Sequence, residues 1–312
     1  MDFRNKTACV ICNGMSMSWA ERLAREFGRV FYYCPSWIGA FPTINRYRLG
    51  AGLKGVEVIH NLEPHIDEID LFVVLDVYLG DLTVGLRKRG KRVWGAGDGE
   101  NLELYRGETK EMMQKLGFPV QPWRRIVGID ALRSYLKDPK NKDKYVKVSV
   151  IRGSMESFGH KTWDMSKDWL RVLEAGLGPA GEDQEFIVED AIPDAQEIGY
   201  DGFYAGGYPK ESLWGIEKKD LGYLGVATAY DKLPKQVIWV NEHAEGFLKH
   251  VNYRQFISTE IRVPKDDKPY VVDWTCRNPS PPGELYQEII ANCAEMFWEG
   301  AEGRPATLKW NR

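Results

Sequence analysis

Long apolar runs, a surplus of one charge and a complete metal-binding set of cysteines or histidines are all missing from this chain. Each absence removes a class of function. A bilayer-spanning helix needs about 20 consecutive apolar residues, and no run comes near that. The apolar stretch Ala8-Cys-Val-Ile-Cys12 near the start is too brief for a secretory signal, so a cytoplasmic protein is expected. A net charge of −3 over 312 residues gives no general attraction to nucleic acid. No basic stripe interleaved with aromatics replaces it, so nucleic acid is not an expected partner. Five cysteines in this length suggest reduced thiols rather than a disulfide framework. Cys9 and Cys12 form a C-x-x-C, but they lie in a strand-like run with no second pair to complete a zinc site. The five histidines include no H-x-x-x-H, which argues against a zinc hydrolase. The first strand is not followed by G-x-G-x-x-G, so a bound dinucleotide is not indicated.

What is present is an ordinary globular composition, 43% hydrophobic and 28% charged, sufficient for one large or two to three small domains. Its most informative segment is Phe256-Ile-Ser-Thr-Glu260-Ile-Arg-Val-Pro264 followed by Pro269-Tyr-Val-Val-Asp273-Trp-Thr275. Both arms alternate apolar and polar residues around the turn composition Lys265-Asp-Asp-Lys268, which reads as a β-hairpin. A symmetric turn centred on Asp266 and Asp267 places Glu260 directly opposite Asp273, and Ser258 opposite Thr275. Like charges across a ladder are destabilising unless a cation lies between them. Oxygen ligands without histidine suit Mg²⁺ or Mn²⁺, and Mg²⁺ typically binds one or two carboxylates plus substrate phosphates. A one-residue bulge would separate the two carboxylates and leave a solvated face.

The first hundred residues alternate strands and helices: strands at 7–12, 29–34, 56–60, 71–76 and 92–94, helices at 18–27 and 82–88. Ser18-Trp-Ala-Glu21 resembles a capping box. The alternation predicts a parallel sheet with helices on its faces. Gly95-Ala-Gly-Asp-Gly99 marks a boundary, and a helix over 109–116 stops at Gly117-Phe-Pro119. Residues 144–151 form a strand with Tyr145, Lys147 and Ser149 on one face. It leads into Arg152-Gly-Ser-Met-Glu-Ser157. A strand at 185–189 ends in turn chemistry at Pro193-Asp194, and one amphipathic helix is expected over 284–299.

This order of elements and motifs resembles the ATP-grasp superfamily, and within it most nearly the phosphoribosylamine–glycine ligase type. The resemblance covers essentially the whole chain. Its most specific piece is Glu260 followed by Asp273-Trp-Thr275, similar to the family's acidic residue, spacer and E-x-N metal motif. It implies an α/β fold, with an N-terminal Rossmann-like parallel domain (1–95), a linker helix region (96–121) and an ATP-grasp module. The module would comprise a small α+β subdomain (122–189) and a large one with the metal hairpin (190–312), clasping ATP.

The resemblance also implies roles. Lys147 matches the phosphate-binding lysine of the V-x-K strand. Arg106 falls where the family often has a second phosphate-binding lysine. Ser154 lies in the segment matching the family's loop over the phosphates, here with one glycine only. Glu189 is the acid of the hinge strand, Ile192 would pack on the base, and Glu197 would hold the ribose hydroxyls. Glu260, Asp273 and Thr275 would bind Mg²⁺, with Thr275 replacing the usual asparagine. Arg277, in the loop Cys276-Arg-Asn-Pro-Ser-Pro-Pro-Gly283 beside the acceptor pocket, would stabilise the transferring phosphoryl group or an acyl-phosphate.

The implied activity is an ATP-dependent carboxylate–amine ligase that forms an amide through an acyl-phosphate. Its substrates would be a small carboxylate and an amine, one of them an amino acid. A kinase-like phosphotransferase and a non-catalytic nucleotide-binding protein are the alternatives. α/β units of this kind often dimerise, and a single sequence leaves a homodimer open.

Overall fold

The computed structural model describes residues 1–38, 46–150, 156–218 and 222–311. The loop that carries Ser154 therefore lies outside the described residues. The chain divides into two compact units. Unit 1 comprises Met1–Glu100, Glu197–Glu260 and Asp273–Arg312, and unit 2 comprises Asn101–Gln196 and Ile261–Val272. Among the described residues no helix is long and apolar enough to cross a membrane.

Unit 1 opens with five parallel strands: β1 (Thr7–Ile11), β2 (Arg29–Tyr33), β3 (Glu57–Ile59), β4 (Leu71–Val74) and β5 (Val93–Trp94). They are ordered β3-β2-β1-β4-β5 and paired in parallel throughout. Helices α1 (Ser18–Leu23) and α2 (Gly80–Lys88) follow β1 and β4. Strands buried on both faces read as nearly continuous apolar runs. Here alternate residues feed two cores: Val10, Tyr32 and Val73 into one, and Cys9, Phe31, Phe72 and Val74 into the other. The capping-box expectation at Ser18 does not hold. Ser18 is the first helical residue, the preceding Met17 is the cap, and no side chain bonds the freed N–H groups. The helix is also shorter than expected, because residues 24–26 relax into turns.

Unit 2 begins with α3 (Asn101–Leu104) and α4 (Arg106–Lys115). Then come β6 (Trp123–Val127), α5 (Ile129–Lys137), β7 (Lys144–Val148), β8 (Ser157–His160), α6 (Trp163–Leu177) and β9 (Glu185–Asp190). Its four strands form an antiparallel sheet in the order β6-β9-β7-β8. Leu132 and Leu136 of α5 and Leu170 and Leu173 of α6 cover one face, over Val146, Val148, Phe186 and Val188.

The remaining sheet has the order β12-β11-β10-β13-β14. Its strands are β10 (Gln196–Ala205), β11 (Glu211–Lys218), β12 (Gly222–Ala229), β13 (Arg254–Val263) and β14 (Tyr270–Thr275). Helix α7 (Lys235–His250) connects β12 to β13. The expected hairpin is present as β13 and β14, closed by a turn in which Asp267 N–H donates to Pro264 O at 2.9 Å. Asp267 takes φ 66°, a left-handed conformation that Asp tolerates better than most residues. Two helices, α8 (Pro282–Ile289) and α9 (Cys293–Ala301), stand where one was expected. The break is a tertiary effect: Ile290 forms a bridge with Trp310, and Ala291 N–H donates to Lys309 O at 2.7 Å.

Candidate functional site

Unit 2 holds a buried ionic cluster. Lys147 is 7% exposed on β7, and Glu189 is 2% exposed on β9. The antiparallel register sets Tyr145 opposite Glu189, which makes Lys147 a diagonal neighbour within reach of a long side chain. Its ammonium lies 2.7 Å from Glu189 Oε1. The other carboxylate oxygen, Oε2, is 2.7 Å from Lys110 Nζ. Lys147 Nζ also donates to the Val272 carbonyl. Burial alone would raise the Glu189 carboxyl, but the two ammonium groups outweigh it and hold the group below the usual range.

Lys110 was not anticipated from the sequence. It sits four residues after Arg106 on α4, so the two share a helix face, and both are only 5% exposed. That spacing was the available signal. Arg106 is thus not an exposed helix-start charge; its guanidinium lies 3.9 Å from Glu156 Oε1. Glu103, three residues before it, is fully buried as well. Glu189, expected as the acid of the hinge strand, pairs with both lysines. Ile192 is half-buried two residues beyond β9. Fixed ammonium groups held by a carboxylate form an arrangement suited to binding phosphate oxygens as point charges.

Unit 1 holds the two carboxylate residues of the hairpin, Glu260 and Asp273, whereas Ile261–Val272 between them belong to unit 2. On β13, Thr259 and Ile261 are buried while Glu260 between them is exposed. On β14, Trp274 is 3% exposed, and the flanking Asp273 and Thr275 are half-buried. Asp273 Oδ1 accepts the Trp274 N–H at 3.0 Å. Among the described residues no group of three or more His, Cys, Asp or Glu is assembled to hold a metal. The all-oxygen donor set of Glu260, Asp273 and Thr275 fits a hard cation that completes its shell with phosphate and water. Glu197, near the start of β10, is half-buried.

Arg277 follows β14 between two firmly placed neighbours. Cys276 is fully buried, and Asn278 is 4% exposed. Asn278 N–H donates to Leu75 O at 2.9 Å. Its side chain accepts from Trp19 Nε1 and donates to Ser16 Oγ, each at 3.0 Å. Residue 277 is thereby tied to the ends of β1 and β4.

A second unanticipated residue is Asp201 on β10, 5% exposed. Ser258 Oγ donates to its Oδ1, and Tyr223 Oη donates to its Oδ2 at 2.8 Å. Burial raises its carboxyl to about 6, against the two hydroxyl donors and with help from Glu217. A raised folded value means that bound protons favour the fold. The contribution is fully present below the unfolded value near 3.8 and is lost as pH rises through about 6. Relative to Asp201→Asn, the wild type should therefore lose on the order of 2–3 kcal/mol between about pH 4 and pH 6. Denaturant unfolding of both proteins across that range checks this; a constant gap between them would refute it.

No family profile and no curated protein sequence matches the chain. Solved structures do. N5-carboxyaminoimidazole synthetase from Staphylococcus aureus superposes with a TM-score of 0.63 at 11% identity, covering 99% of this chain and 81% of that one. Biotin carboxylase from Campylobacter jejuni, solved as a β,γ-ATP complex, gives 0.61 at 16% identity over 97% of this chain and 73% of its own. Phosphoribosylamine–glycine ligase from Thermotoga maritima gives 0.60 at 13% identity, covering 98% and 78%. Over nearly its whole length, the chain has the ATP-grasp fold shared by these synthetases, carboxylases and ligases.

Proposed function

We propose that the protein is an ATP-dependent ligase that joins a carboxylate to an amine through an acyl-phosphate, releasing ADP and phosphate. The observation that carries this reading is the Lys110–Glu189–Lys147 cluster, with 2.7 Å contacts on both carboxylate oxygens. It holds two positioned ammonium groups, and one of them belongs to Lys147, to which the resemblance gives a phosphate-binding role. The fold adds support, since one structural neighbour is described as an ADP complex and another as a MgADP complex.

In this reading the substrate carboxylate attacks the γ-phosphate and ADP leaves. The amine then attacks the acyl carbon, the C–N bond forms and phosphate departs. Positioning and electrostatics do most of the chemistry, and no protein nucleophile is needed. Lys147, Lys110 and Arg106 offset phosphate charge. Glu189 aligns the two lysines and its strand offers backbone groups to the adenine edge, with Ile192 against the ring and Glu197 on the ribose. Ser154 belongs to the loop over the phosphates. Glu260, Asp273 and Thr275 would hold Mg²⁺ or Mn²⁺, which when bound polarises the phosphates. Arg277 stabilises the charge that develops on the acyl-phosphate.

The N-terminal parallel sheet is taken as a Rossmann-like domain over 1–95. The linker helix region at 96–121, the small subdomain at 122–189 and the large subdomain at 190–312 complete the proposed division. An ADP-release screen of carboxylates, amino acids included, each with varied amines, tests the reading. Amine-dependent ADP release with an amide product by mass spectrometry is expected. A stable phosphorylated product without amine would indicate a phosphotransferase instead, and ATP binding without ADP release across the panel a non-catalytic protein.

A further inference from the structure

The four-stranded sheet of unit 2 ends on β8, which pairs with β7 on one side and with no described strand on the other. Val148 N–H donates to Glu156 O at 2.8 Å, so the backbone groups of residue 156 face β7. Along an antiparallel strand those groups alternate in direction. The N–H and C=O of Ser157 and Gly159 therefore point to the open edge. Helix α6 lies over this edge strand. Its Ser166, Leu170 and Leu173 are buried toward the sheet, and Trp169 stacks on Phe158 of β8, the ring centroids 6.2 Å and the planes 2° apart. Helix α5 flanks α6 on one side, through Arg133 on Glu174 at 2.8 Å and Lys137 over the Trp163 ring at 5.1 Å.

On the opposite side of α6 runs a stripe of Met165, Trp169, Val172 and Gly176, at the helical spacing that lines up one face. Met165, Trp169 and Val172 are 61%, 41% and 56% exposed, and a methyl group added at Gly176 would meet nothing within 4 Å. An open strand edge and an apolar stripe beside it are both surfaces that proteins cover. Whatever covers the two together must bring its own strand edge and its own apolar helix side in matching order. The chain itself carries that pair.

We propose that a second copy of the chain docks here about a two-fold axis normal to the sheet, β8 pairing antiparallel with its copy and α6 packing beside its copy. The surface is self-complementary in three respects. Centred on Phe158, the strands set Ser157 opposite Gly159 of the partner subunit, so every outward N–H of the pair meets a carbonyl. Centred between Leu170 and Arg171, the antiparallel helices set Met165 opposite the partner's Gly176 and Trp169 opposite the partner's Val172, a large side chain against a smaller one in each layer. The stacking of Trp169 on Phe158 brings the two centres together. Leu170 and Leu173 share a core with Val146 and Phe158, so α6 rests over β7 and β8. With strands about 4.8 Å apart, that sets the two helix axes about 10 Å apart, an ordinary packing distance. The third respect is charge. Asp168 and Arg171, largely exposed and paired with each other at 3.2 Å, lie on the flank of α6 turned away from the sheet. Antiparallel packing brings each within a turn of its opposite on the copy, acid to base. A lone peptide strand would pair with β8 and leave Met165 and Val172 uncovered. The contact uses one 15-residue helix and one four-residue strand, less than a standard interface of about 1,600 Å², so a Kd of about 10–100 µM is expected. The docking stands whether or not the protein is a ligase.

Sedimentation equilibrium of the full chain between about 1 and about 500 µM tests it, and a reversible monomer–dimer equilibrium is expected. Met165→Glu and Val172→Glu should each raise Kd at least about tenfold, because each buries a charge against an apolar layer. Arg171→Asp should raise it about fivefold by setting acid against acid, and adding Asp168→Arg to the same chain should bring it back. All four positions are exposed, so the fold should be kept. Hydrogen exchange at the Ser157 and Gly159 amides should slow at the high concentration in the wild type and not in Val172→Glu. A monomer at every concentration would overturn the proposal. So would a dimer indifferent to Val172→Glu and Arg171→Asp, which would use another surface. Ser157 and Gly159 amides that exchange alike in monomer and dimer would rule out the continuous sheet, and the proposal with it.

Discussion

Asp273→Asn should reduce amine-dependent ADP release by at least about 1,000-fold while leaving thermal unfolding within about 2 °C of the wild type. The substitution keeps the shape of the side chain and one carbonyl oxygen. That oxygen can still accept the Trp274 N–H now bonded to Asp273 Oδ1 at 3.0 Å, so the local turn of the chain survives. What disappears is one of two negative charges in the proposed donor set of Glu260, Asp273 and the Thr275 hydroxyl. A hydroxyl is a weak neutral ligand, so the charge lost with Asp273 is not replaced within the set. The loss should therefore exceed that in an E-x-N site, where a stronger amide donor remains. ATP affinity with and without Mg²⁺ separates the roles: the variant should lose the Mg²⁺-dependent gain and keep the Mg²⁺-free affinity. Near-normal turnover in Asp273→Asn would remove the metal assignment altogether.

The parallel sheet was legible because its physics is local. β1 and β4 are apolar on both faces, so Ala8–Ile11 and Leu71–Val74 read as unbroken hydrophobic runs between turn residues. The hairpin was legible for the opposite reason, since strict alternation around a polar turn fixes which residues share a face. Other elements had no such signature. β10, β11 and β12 align Gly199, Gly215 and Gly225 in one cross-strand row, and glycine carries little strand signal. The break between α8 and α9 contains neither proline nor glycine. It is imposed by pairing with residues 309–310, which a local pattern cannot anticipate.

At the site, alternation gave a face but not a depth. Lys147 was assigned to a polar face, yet its 7% exposure depends on what covers β7, and nothing in Tyr145-Val-Lys147 encodes that. The sequence of β9 alone marks Glu189 as the hinge acid and carries no sign of a lysine partner. Its pairing with Lys147 follows only from the antiparallel register of β7 with β9. Lys110 was within reach of helical spacing from Arg106 and was missed because a lysine on a polar helix ordinarily faces water. Asp201 had no signal at all: its partners Ser258 and Tyr223 come from two other strands.

Glu189→Ala should be the most destabilising single substitution among these site residues, costing about 3–5 kcal/mol and lowering the melting temperature by about 10 °C. The wild-type cluster sets one carboxylate between two ammonium groups at 2.7 Å each, all three residues at least nine-tenths buried. Truncation leaves both lysines desolvated and facing each other without the charge that held them. A buried ion pair adds little net stability over an apolar replacement, but half of one is expensive. Removing a cation as well should therefore restore part of the loss, so Glu189→Ala with Lys147→Met is expected to be more stable than Glu189→Ala alone. A double-mutant cycle on unfolding free energies measures the coupling, expected at about 1–3 kcal/mol between residues in direct contact. The same variants separate structure from function. Lys147→Met in an intact fold should weaken ATP binding, whereas the rescued double variant should regain stability without regaining affinity. If Glu189→Ala melts with the wild type, the cluster is solvated rather than buried, and its cations are not the preset phosphate ligands that the ligase reading requires.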